Sequence, residues 1–351
     1  MNLPDRIAAF SELGRVINHI LDGNVNHKGL PSSAIALGQM IETIRDHNPW
    51  FTYDNITSAL SAIARSLTGK NLVNWTGRYP QLKNRPGSKR IGITMAGNIP
   101  LVGFHDFICV LVSGNFFVGK LSSKDNKLLP QLAAILCELQ PDFKNSIEFT
   151  EGNFKDVDAI IATGSDNTSR YFEYYFGRYR RIIRKNRNSI AILDGTESLE
   201  NLAGLGSDIF SYFGLGCRNV SKIYIPDNYD FEMLFNAVKS YHSIIDHPQY
   251  YNNYIYNRSV FLVNRNAFHD GGFFLLAENT GFDSPIGVVY YQYCSDPVLL
   301  KEEFLVNSER IQCIVGNNCP PANTPFGRSQ EPELWDYADD IDTIAFLLSL
   351  E

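Results

Sequence analysis

The spacing of hydrophobic residues changes early in the chain. Up to about residue 85 they recur with a helical period, interrupted by polar breaks such as DGNVNHKG and HNPW. The segment YDNITSALSAIARSL, for example, places its apolar residues on one face of a helix. This pattern predicts a helical N-terminal region in which each helix buries one side.

Beyond residue 90, short apolar runs alternate with longer helical patterns. The strands predicted here are KRIGITMAG, FFVGKLS, runs near IEFTEG and VDAIIATG, and NSIAILDG. The helices predicted between them run from Pro100 to about Ser113, over LLPQLAAILCEL, and from near SDNTSRYFEYYF. Such alternation predicts a parallel, doubly wound sheet whose ligand lies beyond the carboxyl ends of the strands.

A second α/β block begins at about residue 196. Its predicted strands are KIYIP, SVFLVN, IGVVYYQY and IQCIVG, and its predicted helix is FEMLFNAVKSYHSII. We therefore expect N-terminal helices and a cofactor-binding domain in residues 1–192. A catalytic domain would follow in 193–330, and a C-terminal tail in 331–351.

Composition and charge narrow the function classes. The chain is 44% hydrophobic and 20% charged, which is typical of a folded globular protein. Its net charge of −7 argues against a nucleic-acid-binding surface. No apolar run approaches the roughly 20 residues of a membrane span, and the N-terminus MNLPDRIAAF lacks the features of a secretory signal. We expect a cytosolic protein without a membrane span.

Cys217 is the candidate nucleophile. The six cysteines are scattered, form no C-x-x-C pair and do not cluster with histidines at zinc-site spacing, so no metal site is predicted. Cys217 alone lies in a glycine-flanked loop, FGLGCRNVSKIYIP, just before a predicted strand. Glycines let a substrate approach a nucleophile closely. The alternative is a buried loop cysteine beside a structural Arg218.

Asn98, in the turn MAGNIPL between a strand and a helix, is a candidate oxyanion donor. The alternative is that it only caps the following helix.

Two further strand ends carry candidate cofactor contacts. GKLSSKD supplies Lys120, Ser122 and Ser123 as donors to ribose hydroxyls or a phosphate, or is simply a polar loop. In ATGSDNTS, the backbone around Gly164 and Ser165 suits a pyrophosphate at a helix start.

The order of these motifs resembles the aldehyde dehydrogenase superfamily. Within it, the chain is most similar to the bacterial acyl-CoA reductase family. The segments that carry this resemblance are HNPWFTYDNITSALSAIA, AGNIPLVGFHDFICVLVSGN, FGLGCRNVSKIYIP and PFGRSQ…DYADDIDTIAFL. The resemblance implies an aldehyde-dehydrogenase-like fold, Cys217 as the nucleophile, and the Asn98 amide and Cys217 N–H as oxyanion donors. It also implies that Lys120, Ser122 and Ser123 face the adenosine ribose, and that Gly164 and Ser165 face the pyrophosphate.

Several departures from the superfamily shape the functional prediction. In hydrolytic relatives a glutamate acts as base; here we align it with Ile192, with Asp194 as a candidate substitute two residues on. Ser284 stands where those enzymes hold the nicotinamide ribose with a glutamate. No glutamate follows Lys120 at the position that favours NADH, so we expect NADPH. The chain is also short for the superfamily, which implies a reduced oligomerisation hairpin and leaves homo-oligomerisation open.

The basic segment GRYRRIIRKNRN, with six Lys or Arg residues, has two interpretations. It captures the phosphates of CoA or of the cofactor, or it is the solvated edge of a sheet.

The resulting hypothesis is NADPH-dependent reduction of an acyl-CoA, or another acyl thioester on a carrier, to an aldehyde through a Cys217 thioester. The rivals are an aldehyde dehydrogenase that works in the oxidative direction and a non-catalytic scaffold.

Overall fold

The computed structural model describes residues 1–24, 29–83, 88–164, 166–294, 296, 300–317 and 320–350. It divides the chain into two units. Unit 1 comprises Met1–Lys185 and Pro332–Glu351, and unit 2 comprises Asn186–Glu331. This division differs from the predicted domains at two points. The first boundary lies before the strand NSIAILDG rather than after it, and the C-terminal segment belongs to unit 1 instead of forming a separate tail.

Four helices precede the first sheet of unit 1, as the sequence predicts. They are α1 (Leu3–Leu21), α2 (Ser32–Thr43), α3 (Tyr53–Ser66) and α4 (Gly69–Gly77). In α1, the Asn2 side chain accepts a hydrogen bond from the Asp5 N–H and so caps the helix. Phe10, Leu13 and Ile17 follow at helical spacing and are fully buried. The helical period thus directs one face of α1 into the core.

The sheet of unit 1 is parallel and doubly wound, which confirms the predicted fold class. Its strands are β1 (Arg90–Thr94), β2 (Phe116–Lys120), β3 (Ile147–Phe149), β4 (Ala159–Thr163) and β5 (Arg180–Arg184). They pair in the order β3-β2-β1-β4-β5. The helices between them are α5 (Phe104–Val112), α6 (Leu128–Leu139) and α7 (Asp166–Tyr175). The bounds of α6 are those predicted.

Helix α5 begins four residues later than predicted. Pro100 does not open it, because Leu101 has a φ of 61° and a right-handed helix cannot include such a residue. The last helix of the chain, α12 (Thr343–Leu348), also packs in unit 1. The C-terminal segment is held there by polar contacts, such as that from Trp75 Nε1 to the Tyr337 hydroxyl at 2.8 Å.

Unit 2 contains a six-stranded mixed sheet. Its strands are β6 (Asn188–Ile192), β7 (Val220–Ile225), β8 (His269–Asp270), β9 (Leu275–Glu278), β10 (Val288–Tyr293) and β11 (Ile311–Val315), in the order β11-β6-β7-β10-β9-β8. Only β8 is antiparallel to its neighbour among the described strands. The helices of this unit are α8 (Leu199–Phe210), α9 (Phe231–Ala237), α10 (Pro248–Asn264) and α11 (Leu300–Val306).

Two predictions for unit 2 are wrong. The segment SVFLVN forms the end of α10 rather than a strand. Its β-branched and aromatic residues favour a strand locally, but they continue a helix that His247 caps. The predicted helix FEMLFNAVKSYHSII is α-helical only over α9 and continues as a 3₁₀ helix, Lys239–Asp246.

Candidate functional site

The predicted site residues of unit 1 follow three adjacent strands. Lys120 ends β2 and pairs with Thr94 at the end of β1, after which the Met95 N–H donates to the Lys120 carbonyl at 3.1 Å. Strand β4, which ends just before Gly164, pairs with the other side of β1. Because the strands are parallel, all three segments emerge at the carboxyl edge of the sheet. This is the edge at which open α/β sheets bind ligands.

The turn that carries Asn98 packs directly on the loop after β2. A Cβ at Gly97 would come within 2.6 Å of Ser122 Oγ, so only glycine fits this contact. The Leu101 N–H donates to Asp125 Oδ2 at 2.9 Å, although Leu101 has a positive φ. Asn98 itself is exposed. The N-cap of α5 is Gly103, so the structure excludes the alternative that Asn98 caps this helix.

In the loop after β2, Ser123 and Lys124 are exposed. Ser122 Oγ accepts from the Lys124 N–H at 3.2 Å, which shapes a tight turn, and the Ser123 side chain is exposed. The segment between α2 and α3 supports this loop. The His47 ring makes a hydrogen bond with the Ser123 carbonyl at 3.2 Å, and Asn48 Nδ2 donates to the Lys124 carbonyl at 3.1 Å.

Sequence reasoning missed this support. It treated HNPW only as a break between helices, although the segment is one of those that carry the family resemblance. That resemblance was the available signal.

Gly164 forms the predicted link between a strand end and a helix start. Its N–H donates to the Arg184 carbonyl at 3.3 Å, and α7 begins two residues later. A Cβ at Gly164 would lie 2.9 Å from the Phe172 ring, so close packing of α7 also demands glycine here. Ser165 lies outside the described residues.

The basic segment contains the edge strand β5. Arg180 donates to the carbonyl and hydroxyl of Ser349, and Arg181 pairs with Glu173 at 2.7 Å. Arg184 is buried and pairs with Asp106. These three arginines therefore make contacts within unit 1, and the position of β5 favours the interpretation as a sheet edge.

In unit 2, Cys217 occupies the corner of a tight turn between α8 and β7. The Asn219 N–H donates to the Gly216 carbonyl at 3.0 Å, which closes the turn around Cys217 and Arg218. The Cys217 carbonyl accepts from the hydroxyl of Ser189, near the start of β6, at 3.0 Å. The Cys217 side chain is half-buried. A nucleophile needs this combination of a fixed backbone and partial access.

A cleft in unit 2 borders this turn. Gly214 and Asn219, which flank Cys217 in the sequence, both contribute to its walls. Aromatic rings form another part of the wall, among them those of Phe210, Phe213 and Tyr250.

A family model described as acyl-CoA reductase (LuxC) matches residues 50–240, more than half of the chain. This chain belongs to the acyl-CoA reductase family. The resemblance to this family predicted from the sequence is thereby confirmed, and the protein is an oxidoreductase. The matched segment includes the Asn98 turn, the loop after β2, the end of β4 and the Cys217 turn. No curated protein sequence matches the chain.

Several solved structures, among them aldehyde dehydrogenases, share the fold of this family member. HpcC from Thermus thermophilus is 13% identical, with a TM-score of 0.60, over 90% of this chain and 70% of the other. An NAD⁺ complex of an aldehyde dehydrogenase from Bacillus cereus is 14% identical, with a TM-score of 0.57, over 90% of this chain and 72% of the other. An NAD-dependent aldehyde dehydrogenase from Sinorhizobium meliloti is 12% identical, with a TM-score of 0.56, over 89% and 74%. At these identities the likeness concerns the fold alone.

The structure of this reductase-family chain corrects the expected place of Ile192. In the pairing of β6 with β7, Ser189 lies opposite Val220 and Ile192 lies opposite Tyr224. Since Cys217 contacts Ser189, Ile192 lies three residues, or about 10 Å, further along the strand. Its side chain is buried in the core. Ile192 therefore does not occupy the place of a base beside the thiol.

Asp194 is also unsuited to replace such a base. It follows the far end of β6 and accepts hydrogen bonds from the N–H and hydroxyl of Thr196. The bond from the Thr196 hydroxyl is the main cause that lowers the pKa of Asp194. Ser284, aligned with the nicotinamide-ribose glutamate of relatives, donates to the Val288 carbonyl at 2.7 Å within its own loop.

Asp208 is a site-shaping residue that the sequence did not single out. It is fully buried on α8 and accepts from the backbone N–H groups of Gly327 and Ser329, in the PFGRSQ motif, at 2.7 and 3.0 Å. Burial raises the pKa of its carboxyl group. Asp208 therefore ties the PFGRSQ motif to the helix that leads into the Cys217 turn.

Among the described residues, none of the helices combines the length and hydrophobicity that a membrane span requires.

Proposed function

We propose that this chain reduces an acyl-CoA, or a related acyl thioester, to an aldehyde with NADPH, through a thioester on Cys217. The observation that carries the proposal is the position of Cys217. It is a half-buried thiol at the corner of a closed turn, within the segment that matches the acyl-CoA reductase family. A cytosolic location, predicted from the sequence, is part of the same proposal.

The first step is transfer of the acyl group to the protein. The Cys217 thiolate attacks the thioester carbonyl carbon, a new C–S bond forms, and the bond to CoA breaks so that CoA leaves as its thiolate. The Cys217 N–H and the Asn98 amide, the latter a residue of unit 1, are our candidates to stabilise the oxyanion.

The residues along the carboxyl edge of the unit 1 sheet fit a dinucleotide. Among the described residues, no carboxylate lies within ion-pair distance of the Lys120 ammonium group, and Ser123, three residues further along the chain, is exposed. These groups, with Ser122, offer a cation and hydroxyls to a ribose and its phosphate. Gly164, whose own N–H is engaged by the Arg184 carbonyl, allows a pyrophosphate to approach closely near a helix start. Ser165 keeps its predicted role beside the pyrophosphate.

When bound, NADPH would supply the hydride that reduces the acyl group to the level of an aldehyde. The Cys217 sulfur then departs from the reduced carbon and is regenerated as a thiolate. The products are an aldehyde, CoA and NADP⁺, with one proton consumed from solvent. The chain needs to hold the acyl group on Cys217 and to keep water from it.

Covalent capture tests the proposal. Incubation with an acyl-CoA, but without NADPH, should give a single acyl adduct in intact-mass measurements, and Cys217→Ala should abolish it. Cys294→Ala is the matched control, since Cys294 is another half-buried thiol of unit 2 and should leave the adduct in place. An adduct that survives Cys217→Ala, or no adduct on the wild type, contradicts the proposal.

A further inference from the structure

The segment just before Cys217 has an unfavourable backbone conformation. Tyr212, Phe213 and Gly214 have successive φ values of 52°, 59° and 75°. Glycine adopts this left-handed region readily, but tyrosine and phenylalanine carry a Cβ that clashes with the backbone there. Two such residues in a row persist only where surrounding contacts hold them.

The side chain of Asn219 provides such contacts on both sides of the strained segment. Its Nδ2 donates to the carbonyls of Asp208, Ile209 and Ser211, at 3.1, 3.4 and 2.8 Å. Its Oδ1 accepts from the Gly216 N–H at 2.8 Å. Asn219 is only 3% exposed, so water does not compete for these bonds.

The acceptors of Asn219 lie at the end of a helix. Asp208 and Ile209 belong to the last turn of α8, and Ser211 is its C-cap. The last carbonyls of a helix have no partner within the helix and need donors from elsewhere. Asn219 satisfies them and at the same time closes the turn of Cys217 through its own N–H and Oδ1.

We propose that Asn219 is a positioning residue for Cys217: its carboxamide clamps the strained segment between the end of α8 and the Cys217 turn, and so fixes the thiol for acyl transfer. This inference rests on the proposed function for its catalytic consequence, but the clamp itself is a property of unit 2 that is measured independently.

Asn219→Asp is the sharpest variant. It preserves the shape and the acceptor for the Gly216 N–H, but it replaces the donor to three carbonyls by a carboxylate that those carbonyls repel. Asn219→Ser, which adds no charge, replaces it if the aspartate variant does not fold. Asn115→Asp is the matched control, because Asn115 is 2% exposed and also bridges a turn, at the amino end of β2 in unit 1.

Three rates are measured on each folded protein. They are acyl transfer from an acyl-CoA to Cys217, alkylation of Cys217 by iodoacetamide relative to the half-buried Cys137, and hydrogen exchange of the amides between residues 212 and 217. In Asn219→Asp we expect acyl transfer to fall by about 100-fold, the effect of misplacing a reacting group by about 1 Å. Relative alkylation should not fall, since a released loop exposes the thiol. Exchange of the loop amides should accelerate.

The outcomes separate the inference from the proposed function. If Asn219→Asp transfers the acyl group at the wild-type rate, Asn219 does not position Cys217. The same conclusion follows if acyl transfer and alkylation fall in parallel. In both cases the proposed function is unaffected. If the wild type forms no adduct on Cys217, the proposed function is contradicted. The hydrogen-exchange rates of the loop amides then test the clamp by themselves. If the Gly216 amide of the wild type exchanges as fast as in an unstructured peptide, the clamp is contradicted, and no variant is needed to show this.

Discussion

The backbone N–H of Leu101 donates to the Asp125 carboxylate at 2.9 Å, and this bond joins the turn that carries Asn98 to the loop that carries Ser122 and Ser123. The carboxylate is buried, and burial raises its pKa. Leu101 itself has a positive φ, and it lies just before the start of α5. One hydrogen bond thereby connects two segments that the sequence assigns to different tasks, the oxyanion and the cofactor.

The role of Asn98 is tested by Asn98→Ala. Acylation of Cys217 should slow by about 100-fold, the usual cost of removing one oxyanion donor. Thermal stability should change little, because Asn98 is exposed and Gly103, not Asn98, is the N-cap of α5. Asn145→Ala, at an exposed asparagine before β3, should leave both quantities unchanged. Acylation at the wild-type rate in Asn98→Ala would exclude it as an oxyanion donor.

Cofactor preference depends on the exposed loop after β2. We expect the wild type to have a higher kcat/KM with NADPH than with NADH. Ser123→Glu should weaken NADPH binding by about 1–3 kcal/mol through repulsion of the 2′-phosphate, with little effect on NADH. The matched control is Asn145→Glu, which adds the same charge near the amino end of β3, at the opposite edge of the sheet. A wild-type preference for NADH would refute this interpretation of the loop.

The acyl-enzyme should resist hydrolysis. Asp194 lies at the far end of β6, and both oxygens of Asp208 accept backbone N–H groups, so neither of these two carboxylates is placed to activate water at Cys217. A general base accelerates hydrolysis by about 100-fold or more, so without one we expect acid release to be slower than aldehyde formation. Mixing enzyme with stoichiometric acyl-CoA, with and without NADPH, gives both rates. Acid release as fast as aldehyde formation would indicate a hydrolytic enzyme instead.

The buried side chain of Lys222 should make the free energy of unfolding depend on pH in a specific way. Its side chain is fully buried on β7, where Nζ donates to the Thr280 carbonyl and to Gln292 Oε1 at 3.0 and 2.7 Å. Burial is the main cause that lowers its pKa from 10.5 to about 8. Between these values the unfolded chain binds the proton more readily than the folded protein, so the contribution of Lys222 to stability increases as pH rises through this window.

Lys222→Met isolates this effect. The variant should be less stable at every pH, because it leaves two acceptors without their donor. The difference in Tm between wild type and variant should widen as pH rises from about 8 to 10.5. Lys239→Met, at an exposed lysine of the same unit, provides the control for loss of charge. A Tm difference that stays constant over this range would show that the pKa of Lys222 is not shifted.

The sequence alone determined the elements whose pattern is local and regular. The parallel sheet of unit 1 follows from short apolar runs that alternate with helical segments, and α6 has the predicted bounds because its apolar spacing is unambiguous. The family was also readable, because the turn, strand-end and loop motifs occur in a characteristic order. Each of these segments is therefore recognisable in the amino-acid sequence alone.

Only the tertiary structure decided which residues support those segments and where the units divide. Strand β6 has the sequence pattern of the end of the first domain, but its hydrogen bonds to β7 and β11 place it in unit 2. Its register with β7 puts Ile192 and Asp194 toward the end of β6 that is far from Ser189, the residue that Cys217 contacts. Asn219, Asp208 and Asp125 act through backbone groups, which have no signature in the amino-acid sequence. Such bonds depend on where the chain returns in space, and no local pattern of side chains encodes that.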